Sequence, residues 1–138
     1  MYTSEGKKII RAEKAPQAIG PYSIAVQAEA ASLIFCSGQL GADPANGALV
    51  EGGVAGQTRQ ALTNLQHVLE AAETGMNYVV KTTVFLVDMN DFAAMNAVYA
   101  EFFPENPPAR STIAVAGLPK GARVEIEAVA MLAPSHGD

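Results

Sequence analysis

Arg123-Val-Glu-Ile-Glu-Ala-Val-Ala-Met-Leu132 is the most informative stretch of the chain. Its β-branched residues and strict alternation predict a strand. Val124, Ile126, Ala128 and Ala130 fall on one face, and Glu125, Glu127, Val129 and Met131 on the other. The first face is wholly apolar and suits packing beneath helices. The second mixes two carboxylates with two bulky apolar side chains. That mixture fits a face that meets a partner subunit or lines a cleft better than one that is merely solvated.

Upstream, glycine and proline divide the chain into clear segments. Arg110–Val115 reads as a strand, separated from the last one by Gly117-Leu118-Pro119-Lys120-Gly121. Before it, Phe92, Met95, Val98, Tyr99, Phe102 and Phe103 recur at helical spacing, with Asp91 as candidate N-cap and Pro104 just beyond. Tyr78–Val87 is β-branched and aromatic, hence a strand. Ala61, Leu62, Leu65, Val68, Leu69 and Ala72 predict a longer helix over about Val54–Thr74, with Gly75 placed to cap it. Near the start, Lys7–Arg11 reads as a short strand. Ser23–Ala28 and Leu33–Gly38 read as two more, joined by Glu29-Ala30-Ala31 as a hairpin. The order β-ββ-α-β-α-ββ predicts one α+β domain spanning residues 1–138, with two helices on one face of a mixed sheet.

Composition bounds the function. At 138 residues the chain suits one domain. With 49% hydrophobic and only 17% charged residues it is folded, and part of its surface is expected to be covered, most simply by another copy of itself. The net charge of −5 gives no electrostatic support to nucleic-acid binding. Lys7, Lys8 and Arg11 cluster, but read as a solvated strand end. One cysteine, Cys36, fits a reducing compartment, and mid-strand among apolar residues it reads as an inert buried thiol. The first apolar stretch is only Ile9-Ile10, so neither a secretory signal nor a membrane span is expected, and the expected location is the cytosol.

Metal chemistry is not expected, because His67, His136 and Cys36 show no ligand spacing. His67 reads as a surface or half-buried helix residue, and His136 as part of a polar tail. Neither histidine stands in a setting that suggests a nucleophilic triad. Gly52-Gly53 before the long helix offers only a weak anion-binding signal. What remains is a lean polar set in apolar surroundings. Arg110 can grip a carboxylate through two parallel hydrogen bonds, or pair structurally with Glu125. Glu125 can serve as general acid or base, as half of that ion pair, or as a solvated carboxylate. Asn96 reads alone as an exposed helix position, and Tyr22 as a packing residue with a wet hydroxyl.

Several segments together resemble a known family. These are Ala18-Ile-Gly-Pro-Tyr-Ser23, Phe35-Cys-Ser-Gly-Gln-Leu40, Gln57–Leu65, Val80–Leu86 and Met95-Asn-Ala-Val-Tyr99. The most specific are Pro108-Ala-Arg-Ser111, Leu118-Pro119 and Val124-Glu-Ile-Glu-Ala128. The pattern resembles the Rid family of reactive intermediate/imine deaminases, once labelled translation inhibitors or L-PSP endoribonucleases. The resemblance runs from about Ala15 to Ala130. It implies a chorismate-mutase-like α+β fold, a homotrimer with clefts between subunits, and no metal or cofactor. It implies hydrolysis of enamine/imine intermediates such as 2-aminoacrylate and 2-aminocrotonate to 2-keto acids and ammonia. Arg110 would hold the substrate carboxylate and Glu125 would position water. Tyr22, Ser37, Gly38, Phe92, Asn96 and Thr112 match positions around the cleft. Ile24 stands where many relatives have Gln, and Thr112 where some carry Cys. The alternatives are a non-catalytic binder of small carboxylates, an endoribonuclease, which the acidic composition disfavours, and a chaperone activated by oxidation.

Overall fold

The computed structural model describes residues 1–30 and 32–133. His136 and Ala31 of the expected hairpin connection therefore lie outside the described residues. The strands are β1 (Lys7–Ile10), β2 (Ala25–Ala28), β3 (Leu33–Leu40), β4 (Val79–Leu86), β5 (Ala109–Ala114) and β6 (Val124–Met131). The helices are α1 (Gly53–Ala71) and α2 (Phe92–Phe102), joined to neighbours by short 3-10 turns. A four-stranded mixed sheet has the order β3-β6-β4-β5, in which only β4 and β5 run parallel.

The alternation in β6 has the expected consequence. Val124, Ile126, Ala128 and Ala130 are buried against Leu62, Leu65 and Leu69 of α1 and Met95 and Tyr99 of α2. Both helices lie on this face, and burial of each large side chain contributes roughly 1.5–3 kcal/mol. The helical spacing in α1 follows from the same face: Val54, Gln57, Thr58, Ala61, Leu62, Leu65 and Leu69 are its buried residues. Gly41 permits the close approach of α1, since a Cβ there would run into the Gln57 backbone. The opposite face remains largely open. Phe35 is 75% exposed on it, and Leu33 and Ile113 are also exposed, whereas Met131 is already covered. Among the described residues no helix is long and apolar enough to cross a membrane.

Four expectations need correction. The β2–β3 hairpin does not form. Instead β2 pairs antiparallel with β1, from Lys7↔Ala28 to Ile10↔Ala25, as a separate ribbon. The ribbon is tied to the main sheet where Ser23 bridges Ala109 and its hydroxyl donates to the Pro107 carbonyl. Lys7 is not a solvated strand end. It is 2% exposed, and its Nζ donates to the Asn106 carbonyl at 2.8 Å and the Asn77 carbonyl at 3.4 Å. Burial lowers its pKa, and the nearby Glu5 charge partly opposes that. Gly75 does not end α1. Glu73 takes the left-handed turn (φ 62°), and the Thr74 N–H returns to the Leu69 carbonyl, closing the helix two residues earlier. Asp91 makes no side-chain cap to α2, because its carboxylate is engaged by Arg123.

Candidate active site

Arg110 is the second residue of β5, directly after the Pro107-Pro108 segment that the ribbon clasps. In the parallel β4–β5 ladder it stands opposite Thr82, which in turn stands opposite Ala128 of β6. Thr82 and Ala128 are both buried. Lateral partners share a face, so Arg110 rises on the helix-covered side at the sheet's outer edge. There α2 and the loop before β2 surround it. The guanidinium carbon lies 4.8 Å from the Tyr99 ring centroid, 5.4 Å from that of Tyr22 and 5.7 Å from that of Phe92. One nitrogen, Nη1, donates to Asn96 Oδ1 at 2.7 Å.

Three aromatic rings stabilise a cation without neutralising it. Among the described residues no carboxylate lies within ion-pair distance of Arg110. Burial lowers the guanidinium's pKa, partly offset by the Tyr99 and Tyr22 phenols. It stays charged at neutral pH all the same. The arrangement is a half-buried cation whose remaining N–H groups are available to an anion.

Asn96 is therefore no solvated helix position. It lies one turn after Phe92 on the face of α2 turned to Arg110, and its amide oxygen orients the guanidinium. Tyr22 and Phe92 are likewise brought to Arg110. Thr112 follows Arg110 by two residues and shares its face. Its Oγ1 is buried and has no hydrogen-bond partner. Tyr99 is the residue that sequence reasoning missed. Its helical spacing marked it as core, which it is, and only the tertiary structure places its ring under Arg110.

Glu125, Ser37 and Gly38 form a second group elsewhere. Glu125 stands opposite Phe85 of β4 and Leu40 of β3, three residues from Ala128 and so on the open face. It folds over β3 at Gly38, where the ladder slips between Cys36 and Gln39. A Cβ on Gly38 would overlap the Glu125 carboxylate, so glycine is required there. Arg110 and Glu125 are thus on opposite faces of one sheet. The structural ion pair between them does not form within a chain. Cys36 is buried beside this group, and burial raises its thiol pKa, as an inert thiol requires. His67 is exposed on α1, remote from both groups in sequence. Among the described residues there is no cluster of side chains able to hold a metal. A hollow of about 740 Å³ lies between β1, residues 11–24 and Asn106-Pro107. It touches this site only at Tyr22.

The chain matches the family model described as Endoribonuclease L-PSP over residues 12–132. It is 52% identical over 128 residues to the 2-iminobutanoate/2-iminopropanoate deaminase of Mus musculus, covering 93% of each chain. It is 51% identical to the protein of the same name from Homo sapiens, covering 93% of this chain and 92% of that one. A crystal structure of the Rid-family protein YyfB from Yersinia pestis superimposes with a TM-score of 0.82 at 30% identity, covering 92% of this chain and 99% of that one. With the family model covering residues 12–132 and relatives above 50% identity along nearly the whole length, the chain belongs to the Rid (endoribonuclease L-PSP) family.

Proposed function

We propose that the protein hydrolyses 2-imino acids, such as 2-iminobutanoate and 2-iminopropanoate, to the 2-keto acid and ammonia. The carrying observation is the Arg110 guanidinium, caged by three rings and oriented by Asn96 yet free of any carboxylate partner among the described residues. The names borne by the curated relatives support the same reading.

A 2-imino acid carries its carboxylate on the carbon that must be attacked. Arg110 accepts that carboxylate through two parallel hydrogen bonds and fixes the C=N carbon beside it. Pairing also offsets the carboxylate's negative charge, leaving the imine carbon more open to a nucleophile. Water adds its oxygen to this carbon while the C=N electron pair moves to nitrogen, which takes a proton. The resulting carbinolamine loses its hydroxyl proton, reforms C=O and expels ammonia. Glu125 receives the proton from water and passes one toward nitrogen. Because Glu125 and Arg110 occupy opposite faces of one sheet, Glu125 reaches the substrate from a second copy. A homotrimer with intersubunit clefts supplies that copy. The exposed Phe35, Leu33 and Ile113 give the open face an apolar surface suited to such contact. The imine is reactive in water, so each tenfold acceleration asks only about 1.4 kcal/mol of the site. The lone buried thiol suits the cytosol.

The test generates 2-aminoacrylate from L-serine with a pyridoxal-phosphate dehydratase in the presence of semicarbazide. Wild-type protein is expected to suppress semicarbazone formation, and Arg110→Ala to lose that ability by about 10³-fold in kcat/KM. Failure of the folded, assembled wild type to suppress it would reject the deaminase reading. Binding of 2-oxobutanoate without turnover would identify a carboxylate-binding protein instead.

A further inference from the structure

The mechanism above gives Tyr99 no task, yet its placement is more specific than packing requires. Its ring is wholly buried and lies closer to the Arg110 guanidinium than either other ring. Phe103 backs it, with ring centroids 4.7 Å apart. Its hydroxyl and the Thr82 Oγ1 are hydrogen-bonded at 2.7 Å in the interior. Thr82 is the residue directly beside Arg110 across the β4–β5 ladder.

Phenylalanine facing valine would fill the same space with no polar atom to satisfy. The hydroxyl pair instead couples the ring of one helix to the strand next to Arg110. A ring held at both ends has a fixed tilt and height relative to that ladder, and Arg110 rises from the same ladder. We propose that Tyr99 and Thr82 are a positioning pair for Arg110. They hold the aromatic floor so that the guanidinium edge not used by Asn96 faces the bound carboxylate. The inference rests on the carboxylate-anchoring reading of Arg110.

The test compares wild type with Tyr99→Phe, Thr82→Ser and the double variant Tyr99→Phe/Thr82→Val. Three quantities are read beside the unfolding temperature: the Nε–H signals of the ¹⁵N-labelled protein, the Kd for 2-oxobutanoate by calorimetry, and KM against kcat. The chain has four arginines, and the Arg110 signal is the one missing in Arg110→Ala. The three rings should displace it from the others. The double variant removes both buried hydroxyls together, so it should unfold near the wild-type temperature. Its Arg110 signal should nevertheless shift or broaden, with Kd and KM weakened about fivefold and kcat within about twofold. Thr82→Ser keeps the hydroxyl and should retain wild-type values. A double variant with wild-type signal, Kd and KM would overturn the proposal, since the pair would then serve the fold alone. Should the double variant not fold, Tyr99→Phe set against Thr82→Ser decides on the same readouts. A wild type that binds 2-oxobutanoate without turnover removes the deaminase reading but leaves this one to Kd and the signal. If 2-oxobutanoate does not bind the wild type, the carboxylate-anchoring reading fails and this inference falls with it.

Discussion

Arg110 and Arg123 both meet α2, Arg110 along its Phe92–Asn96–Tyr99 face and Arg123 at Asp91 before its first turn, and the chain treats them in opposite ways. Arg123 meets Asp91 through Nη2 at 2.7 Å and Nε at 3.2 Å, with its side chain 48% exposed and that of Asp91 only 12%. Its backbone N–H also donates to Gln57 Oε1 at 2.9 Å, tying α1 to the start of β6. This is a neutralised pair that locks helices to sheet. Arg110 receives aromatic faces and one neutral amide oxygen instead. The difference teaches how a small chain separates structural charge from charge kept for a ligand. A carboxylate partner would satisfy the guanidinium permanently, whereas rings and an amide hold it in place and leave its charge to be used.

The sharpest way to break the comparison is to make Arg110 resemble Arg123. Asn96→Asp places a carboxylate on Nη1. It should weaken 2-oxobutanoate binding about 30-fold while raising stability by about 1 kcal/mol, read by calorimetry and thermal unfolding. Undiminished binding would mean that the free charge of Arg110 is not what the ligand uses. The converse change, Arg123→Ala, leaves the nearly buried Asp91 carboxylate unpaired. It should cost about 2 kcal/mol, less than a fully buried pair because Arg123 is half exposed, with KM unchanged in the protein that remains folded.

A subtler effect concerns alkaline pH. Burial pushes the Tyr99 phenol up to about 12, against 10.0 when free, with the Thr82 bond and the Arg110 charge opposing the shift. Between those values the unfolded chain sheds a proton that the folded one keeps. Stability should therefore be full below pH 10 and fall by roughly 2–3 kcal/mol as pH rises through 12. Lys7 acts the other way just below 10.5, because burial lowers its folded pKa and the unfolded chain holds the proton longer. Denaturant melts of wild type and Tyr99→Phe across this range isolate the phenol, and parallel curves would remove it. The smallest effect belongs to Thr58 on α1, whose buried Oγ1 has no partner. Thr58→Val should stabilise by about 1 kcal/mol without altering KM, since that helix face carries no ligand contact.

Much of this was legible before any coordinates. The alternation of β6 identified the core face, and the apolar spacing of α1 and α2 identified their buried sides, because both patterns follow from burial against a sheet. Arg110, Asn96 and Tyr22 stood out singly as polar residues in apolar surroundings, but their grouping with Phe92 around one cleft came only from the family resemblance. Pairing across distance was not legible. Whether β2 turns back on β1 or forward on β3 depends on tertiary contacts that neither strand's pattern encodes. Asp91 offered itself as a cap, but its partner lies 32 residues away. Lys7 looked solvated because the carbonyls that receive it come from residues 77 and 106. Tyr99 was legible as core and silent as a site residue, since an apolar stripe does not reveal which ring will face a cation.

The strand order has a further consequence for how the molecule comes into being. β6 is the last strand among the described residues but lies inside the sheet, between β3 and β4. Until it is available, β3 has no partner in this sheet, β4 lacks one of its two, and α1 lacks the middle of the apolar face it packs upon. The sheet cannot be assembled progressively from the N-terminal end during synthesis. It must wait for one late insertion that joins residues about a hundred positions apart, such as Leu33 and Met131. Pairings of that separation are slow to form. Before β6 arrives, β3 offers an unpaired edge with Phe35 beside it, and that interval is when the nascent chain is most open to pairing with another copy of itself.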